Sequence, residues 1–375
     1  MDKKLTPEER SVLDLLAEKT YDEIVQITGW SRGRIYGLAL KTGRRKTENR
    51  IAERKAERNT RQAEFLQEIL NTTTSADVLD FLDGVPDNSV QLHVTSVPYN
   101  LGKKYGECAS ADLMAYTYFH GWLMQVISET ARTLAEGGVV FLNVGKTRDW
   151  ENSLYPMDIM LFEDLRRSGL TFQNRIIWTV PHGLTPRRGR LADRYETVLV
   201  FSKGDTPTFN PNAARVPQKD PTKRAFKGPN KGKLSGNPLG AHPTDVWRDI
   251  GNCGHHHKGN YDGTHPAPFP NKLAKRAILL YSLPGDLVCD PFCGSGTTAE
   301  AALQTGRAFV GADLFYEDMR TKRLASAVPD LVSPLPGVTD ESIAVWQAEA
   351  RRVDVTAKAI SSHYESKQIE LAFNF

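Results

Sequence analysis

The sequence predicts an α/β fold: a doubly wound, mainly parallel sheet, preceded by a small helical domain and interrupted by an irregular insert. Three observations predict it. Apolar strand-like runs alternate with amphipathic helical stretches from residue 76 to residue 312, which is the pattern of strand–helix crossovers rather than of hairpins. One of those runs, DLVCD (286–290), passes through a glycine loop directly into a helix, as ligand-binding crossovers do. The next strand, AFVGAD, ends on Asp313, seventeen residues beyond Gly296.

The elements follow in order. Residues 6–19 predict a first helix, with Pro7 suited to its first turn and Glu8 and Glu9 to its positive end. A second helix covers about 21–28, before Gly29. Ser31 is an N-cap for a third, about 32–42, which carries Arg32, Arg34, Tyr36 and Lys41. Two short helices around a glycine turn, the second opening on basic residues, form a helix-turn-helix pattern and put Arg32 and Arg34 forward as DNA contacts. The other reading is a three-helix cap that only packs. Residues 41–70 hold nine basic and five acidic residues, an exposed helical linker with Glu–Arg pairs at helical spacing.

The α/β pattern then runs helix (76–83), strand (89–95), helix (113–135), a Gly137-Gly138 break, strand (139–145), helix (156–168) and strands (172–180) and (195–203). Residues 204–264 are rich in Pro, Gly, Asn and Lys and show little periodicity. A helix (271–282), strand (286–290), glycine loop (292–296), helix (297–305) and strand (308–312) follow, and 339–362 predicts one more helix. The expected divisions are a helical domain (1–45), a linker (46–75), two halves of the main domain (76–203 and 265–325) around the insert (204–264), and a tail (326–375).

Bulk properties narrow the function classes. With 375 residues, 40% apolar and 25% charged, the chain can bury a large core. Its charged start is unlike a signal peptide and no run reaches the length of a membrane span. Cys108, Cys253, Cys289 and Cys293 form no disulfide framework; a reducing, cytoplasmic setting is expected. A net charge of +3 leaves any attraction to nucleic acid to local clustering. GNCGHHHKG (251–259) offers a Cys and three His on a glycine-rich stretch without a rigid scaffold, so no metal is expected.

The glycine loop is the most informative stretch. After Asp290, the residues Pro291-Phe292-Cys293-Gly294-Ser295-Gly296 turn into a helix opened by Thr297 and Thr298. Two glycines let backbone approach a ligand, and a carboxylate such as Asp313 suits ribose hydroxyls. The spacing fits neither the dinucleotide GxGxxG nor the P-loop. A nucleoside cofactor without a pyrophosphate satisfies both features.

DPFCGSGTT resembles the S-adenosylmethionine-binding motif of DNA amino-methyltransferases, and TSVPYN (95–100) resembles their catalytic motif, Ser/Asp/Asn-Pro-Pro-aromatic. The order of motifs is similar to the β group of that family, over about residues 76–325. The resemblance implies a Rossmann-like methyltransferase fold with a target-recognition insert, S-adenosyl-L-methionine as cofactor and double-stranded DNA as substrate. It implies that Ser96 Oγ and the Val97 carbonyl accept the amino hydrogens of a flipped base, that Pro98 stiffens the turn and that Tyr99 stacks on the base, an interaction of roughly 1–3 kcal/mol. Val97 stands where the family usually has Pro, which relaxes the backbone by about 0.4–1 kcal/mol. Ser at the first position resembles the cytosine-N4 enzymes more than the adenine-N6 ones. HPAPFP (265–270) resembles the segment that closes over the methionine end of the cofactor, with His265 and Phe269 as contacts.

Residues 203–233 hold eight basic and two acidic residues around Phe209 and Phe226, a flexible cationic segment in the position of the family's target-recognition region. Lys223, Arg224 and Lys227 there, and Arg187, Arg188, Arg190 and Arg194 before it, are the candidate DNA contacts. The resulting expectation is a site-specific DNA methyltransferase acting on cytosine N4, with adenine N6 or a catalytically degenerate DNA-binding regulator as alternatives. A cognate restriction endonuclease and a homodimer are open partners.

Overall fold

The structure, a computed structural model, describes residues 6–16, 19, 21–42, 46–106, 112–180, 189, 191–237, 239–251, 253, 265 and 267–327. The predicted helix at 339–362, Cys108 and most of GNCGHHHKG lie outside these residues. Two compact units divide the chain: residues 1–68 with 83–86, and residues 69–82 with 87–375.

The first unit contains α1 (Pro7–Leu15), α2 (Tyr21–Thr28), α3 (Arg32–Lys41) and most of α4 (Lys46–Ile69). A capping box opens α1: Glu9 N–H donates to Thr6 Oγ1 (3.1 Å) and Thr6 N–H to the Glu9 carboxylate (2.8 Å). Ser31 Oγ accepts from Arg34 N–H at 3.3 Å, as an N-cap does. Val12, Leu13, Leu16, Ile24, Ile35 and Leu38 make a small closed core. The Arg34 guanidinium is exposed and lies 3.5 Å from the centre of the Trp30 ring.

The second unit adds β1 (Thr72–Thr74), α5 (Val78–Gly84), β2 (Val90–Ser96), α6 (Tyr116–Thr133), β3 (Leu134–Val144), β4 (Lys146–Arg148), β5 (Leu154–Pro156), α7 (Met157–Arg167), β6 (Leu170–Thr179), β7 (Tyr195–Lys203), β8 (Val246–Trp247), α8 (Asn271–Tyr281), β9 (Leu287–Asp290), α9 (Thr297–Gln304), β10 (Ala308–Ala312) and α10 (Glu317–Ser326). Eight strands form one sheet in the order β1-β10-β9-β2-β3-β7-β6-β8. The pairs from β1 through β3 are parallel, while β7 runs antiparallel to both neighbours. This is the doubly wound, mainly parallel sheet that the alternation of elements predicts.

Period-2 alternation distributes the core. Leu92, Val94, Val139 and Phe141 face α8 and α9; Val140, Leu142 and Val144 face α6 and α7. Chain order reverses direction between β9 and β2, which are neighbours through Leu92–Val288 and His93–Cys289. The ends of these strands therefore flank a topological switch point, where open α/β sheets bind ligands.

Two expectations are corrected. Gly137 and Gly138 do not precede a strand; β3 starts at Leu134 and runs through them. A Cβ on Gly138 would lie 2.8 Å from the Ala135 carbonyl oxygen, so the glycine permits the irregular register against β2 at Val90–Leu92. Nor is 203–233 uniformly loose. Lys203 caps the end of α6, its Nζ donating to the Ala131 and Leu134 carbonyls (both 2.9 Å) and to Asn88 Oδ1 (2.7 Å). Residues 223–235 fold back on themselves through the Arg224–Leu234 bridge and Ala225 N–H to Lys233 O (2.9 Å). Among the described residues no helix is long and apolar enough to cross a membrane, and no group of three metal-binding side chains occurs.

His93, in the centre of β2, predicts an acid-sensitive fold. Thr133 Oγ1 donates to Thr130 O, so it accepts from His93 Nε2–H at 3.0 Å; Nδ1 has no partner among the described residues. Burial pushes the imidazole down to about 3. The unfolded chain then binds a proton below pH 6.5 that the folded chain refuses. Stability is complete above pH 6.5 and falls as pH drops toward 3, by roughly 2–3 kcal/mol at pH 4.5. Urea unfolding of the wild type and His93→Leu at pH 7 and 4.5 checks this: the variant should lose that part of the pH difference. An unchanged difference would remove His93 as its source.

Candidate active site

The strand ends at the switch point are bonded together by side chains. Thr95 Oγ1 donates to Asp290 Oδ1 (2.7 Å), and Thr298 Oγ1 to Asp290 Oδ2 (2.6 Å). Burial raises the Asp290 carboxyl to about 6, against these two hydroxyls and the Phe292 N–H, which hold it down. This network locks the glycine loop onto the end of β2.

Above it opens a cavity of about 730 Å³. Ser96, Val97, Pro98 and Tyr99 line it from one side. Pro291, Phe292, Gly294, Ser295, Thr297 and Asp313 line it from the other, and His265 and Phe269 also belong to its lining. The two segments, almost two hundred residues apart in sequence, thus share one chamber. Asp290, Gly296 and Thr298 are not among its lining residues; they build the loop behind it. Gly296 is the left-handed N-cap of α9 (φ 83°).

The loop after the catalytic-like motif is clamped. Asp112 accepts N–H bonds from Asn100 (2.7 Å), Leu101 (3.1 Å) and Lys103 (3.2 Å). Asn100, at φ 55°, exchanges two bonds with the Met114 backbone (2.6 and 2.8 Å). Asn at that position supplies both the left-handed backbone and the clamp. The Val97 side chain is buried and packs in the α6–α7 core cluster at the edge of the chamber that it helps to line.

The glycine loop has the shape of a cofactor cradle. A Cβ on Gly294, at φ 48°, would lie 2.5 Å from His265 Nε2. Asp313 Oδ2 accepts Gly294 N–H (3.0 Å) and Oδ1 accepts Phe315 N–H (2.9 Å). Each carboxylate oxygen keeps acceptor capacity for a ligand hydroxyl. Burial pushes this carboxyl upward, while those two N–H bonds and Arg320 hold it down. Arg320 is fully buried and donates to the Gly294 and Phe315 carbonyls and to Thr73 Oγ1 (3.1 Å), fixing loop and strand end together.

His265 packs 4.6 Å from the Tyr316 ring, centre to centre. Burial, with Arg323 and Lys103 adding to it, pushes its imidazole down to about 4. It is therefore neutral at pH 7, and Ala267 N–H donates to Nδ1 (3.3 Å). A neutral ring at this place suits a cationic sulfonium ligand better than an imidazolium would.

Among the lining residues that the sequence reading missed, two polar ones form a pair. Asn143, on β3, and Glu196, on β7, meet through Nδ2 to Oε2 at 2.6 Å. Tyr99 Oη lies 3.2 Å from the same Glu196 oxygen and 3.3 Å from Ser96 Oγ. Tyr99 is held against Gly145, where a Cβ would come within 2.6 Å of its ring. A polar residue inside the apolar run VVFLNVG, and an acid opening the apolar strand YETVLVFSK, were the available signals.

The candidate DNA contacts divide. Arg194, Lys223, Arg224 and Lys227 are exposed on the second unit, as Arg34 is on the first. Arg187, Arg188 and Arg190, and the side chain of Arg32, lie outside the described residues.

Comparison with known proteins identifies what this geometry is similar to. The N6/N4 methyltransferase family model, described as DNA methylase, matches residues 90–321. The type II methyltransferase M.BglII of Bacillus subtilis is 37% identical over 253 residues, 68% of either chain. The DNA adenine methyltransferase YhdJ of Escherichia coli is 32% identical over 251 residues, 66% of this chain and 79% of that one. The solved structure of the cytosine-N4-specific PvuII DNA methyltransferase shares the fold, with a TM-score of 0.51 at 21% identity over 67% of this chain and 85% of that one.

Proposed function

This chain belongs to the DNA methylase family, and on that premise we propose that it transfers a methyl group from S-adenosyl-L-methionine to the exocyclic amino group of a base extruded from double-stranded DNA, with cytosine N4 favoured over adenine N6. The observation that carries this reading is the shared chamber, in which Ser96 and Tyr99 line one side and the Gly294–Asp313 cradle the other. The cradle fits the cofactor: Asp313 has acceptor capacity for ribose hydroxyls, Gly294 leaves room that a side chain would fill, and neutral His265 tolerates the sulfonium. Bound there, S-adenosyl-L-methionine supplies an electrophilic methyl carbon.

The protein's part is to hold and polarise the amino group. An exocyclic amino lone pair is delocalised into its ring and is a poor nucleophile. Acceptors on its hydrogens, Ser96 Oγ and the Val97 carbonyl, localise the pair and stabilise the positive charge that develops on nitrogen. Extrusion costs a few kcal/mol, which stacking and pocket bonds offset. The cytosine preference rests on Ser96, a neutral hydroxyl like that of the cytosine-N4 enzymes; the relatives include an adenine methyltransferase. Exposed Arg194, Lys223, Arg224 and Lys227 supply phosphate contacts, so binding should weaken as salt rises. The type II relatives make a cognate endonuclease a partner to seek.

The test is to treat unmodified duplex DNA with the protein and methyl-labelled cofactor, digest to nucleosides and identify the labelled one by mass. N4-methylcytosine is expected. N6-methyladenine would overturn the base assignment, and no transfer despite cofactor binding would overturn the activity.

A further inference from the structure

The bonds around Tyr99 have only one consistent direction. Glu196, as a carboxylate, accepts only, so Tyr99 Oη–H donates to it. That spends the tyrosine's single proton. The contact between Ser96 Oγ and Tyr99 Oη must then run from serine to tyrosine. Asn143 Nδ2 also donates to both Glu196 Oε2 and Tyr99 Oη (3.3 Å), which holds the pair in place. The result is a wire, Ser96 O–H to Tyr99 O–H to Glu196, that leaves the lone pairs of Ser96 Oγ without a donor among the described residues. Its two O–O distances, 3.3 and 3.2 Å, are long, as catalytic hydrogen bonds often are before substrate tightens them.

Resting on the methyl-transfer reading above, we propose that Glu196 is a positioning residue and the terminal proton acceptor of a Ser96–Tyr99 relay serving the methylated amino nitrogen. Forming the new N–C bond leaves that nitrogen with one proton too many. Its N–H bond breaks with the electron pair staying on nitrogen, and the proton passes to Ser96 Oγ. The serine proton moves to Tyr99 Oη, and the tyrosine proton moves to Glu196 Oε2. The product is a neutral methylated base and a protonated Glu196. No external co-reactant is needed. Burial and the Glu196 charge hold the Tyr99 phenol well above its ordinary value. Tyr99 therefore accepts as it donates, and no tyrosinate accumulates.

The wire also sets acceptor strength before transfer. A serine hydroxyl whose proton is drawn toward a carboxylate through a second hydroxyl is a better acceptor than an isolated one. Glu196 thus supplies, through two hydroxyls, the negative charge that Ser96 itself lacks. An amide at 196 keeps an oxygen in place to accept from both Tyr99 Oη and Asn143 Nδ2, but it carries no negative charge and cannot take up the proton.

The test uses the full-length protein, unmodified duplex DNA and methyl-labelled cofactor in single turnover, with Glu196→Gln, Tyr99→Phe and the double variant. Phenylalanine keeps the ring for stacking and removes only the relay. Each single variant should transfer about 100-fold more slowly, and the double variant should be no slower than the singles, because both break one wire. KM for DNA and calorimetric Kd for the cofactor should stay within about threefold. Transfer within threefold of wild type in Tyr99→Phe, multiplying losses in the double variant, or a loss lying wholly in KM would overturn the relay. Should Glu196→Gln lose cofactor binding through misfolding, Tyr99→Phe alone decides. Wild-type protein that transfers nothing to DNA would overturn the functional reading itself, a different outcome from an active wild type with unaffected variants.

Discussion

Alanine at position 96 is expected to slow methyl transfer by about 100- to 1000-fold while cofactor affinity stays within about threefold. The size follows from what is lost. An acceptor aimed at developing charge in a dry site contributes about 3–4 kcal/mol to the barrier, far more than a ground-state hydrogen bond. The selectivity follows from position. Ser96 ends β2 and bonds only Tyr99 among the described groups, whereas the glycine loop is tied to β2 by Thr95 and Thr298, which the substitution leaves intact. Folding should barely notice: Ser96 is half-buried and Asn143 still donates to Tyr99. Single-turnover transfer combined with calorimetric cofactor titration separates the two quantities. A variant that keeps its rate would show that some other atom accepts the amino hydrogens.

How much of this could be read in advance depends on where the determining neighbours lie. The apolar runs of β2, β3, β7, β9 and β10 announce themselves, because strands buried on both faces must be continuously apolar. TSVPYN and the glycine loop are legible for a different reason: Pro98, Asn100, Gly294 and Gly296 impose backbone geometry that few other residues adopt. By contrast β1 is three threonines that become a strand only through β10. α10 buries arginines rather than leucines; Arg320 reads as solvent-facing until the carbonyls that it satisfies come together around it. Glu196 shows in the sequence only as an acid opening an apolar strand. Its meaning comes from the antiparallel pairing of β7 with β3, which sets Val198 opposite Asn143 and so brings Glu196 into the chamber. Local pattern carries local geometry, and a site assembled across three strands is visible only after they pair.

Position 313 should show the opposite kinetic pattern from position 96. Asp313→Ala is expected to raise the cofactor Kd about 100-fold with a smaller loss in the rate of the saturated enzyme. Its carboxylate has two duties. Each oxygen accepts one backbone N–H, from Gly294 and from Phe315, and so holds the cradle open; each also retains capacity for a ribose hydroxyl. Hydrogen bonds to a charged group contribute about 1.5–3 kcal/mol each, and losing the equivalent of two corresponds to about two decades in affinity. Asparagine discriminates acceptor capacity from shape. Its side chain fills the same volume, but its amide nitrogen must confront either the Gly294 or the Phe315 N–H, donor against donor. Asp313→Asn should therefore bind cofactor nearly as poorly as Asp313→Ala. The buried Arg320, set against this carboxylate, would then lack its negative neighbour. Calorimetric titration of both variants decides it: an asparagine variant that binds as tightly as wild type would mean that position 313 contributes volume and not charge, and the cradle would have to find its ribose acceptor elsewhere.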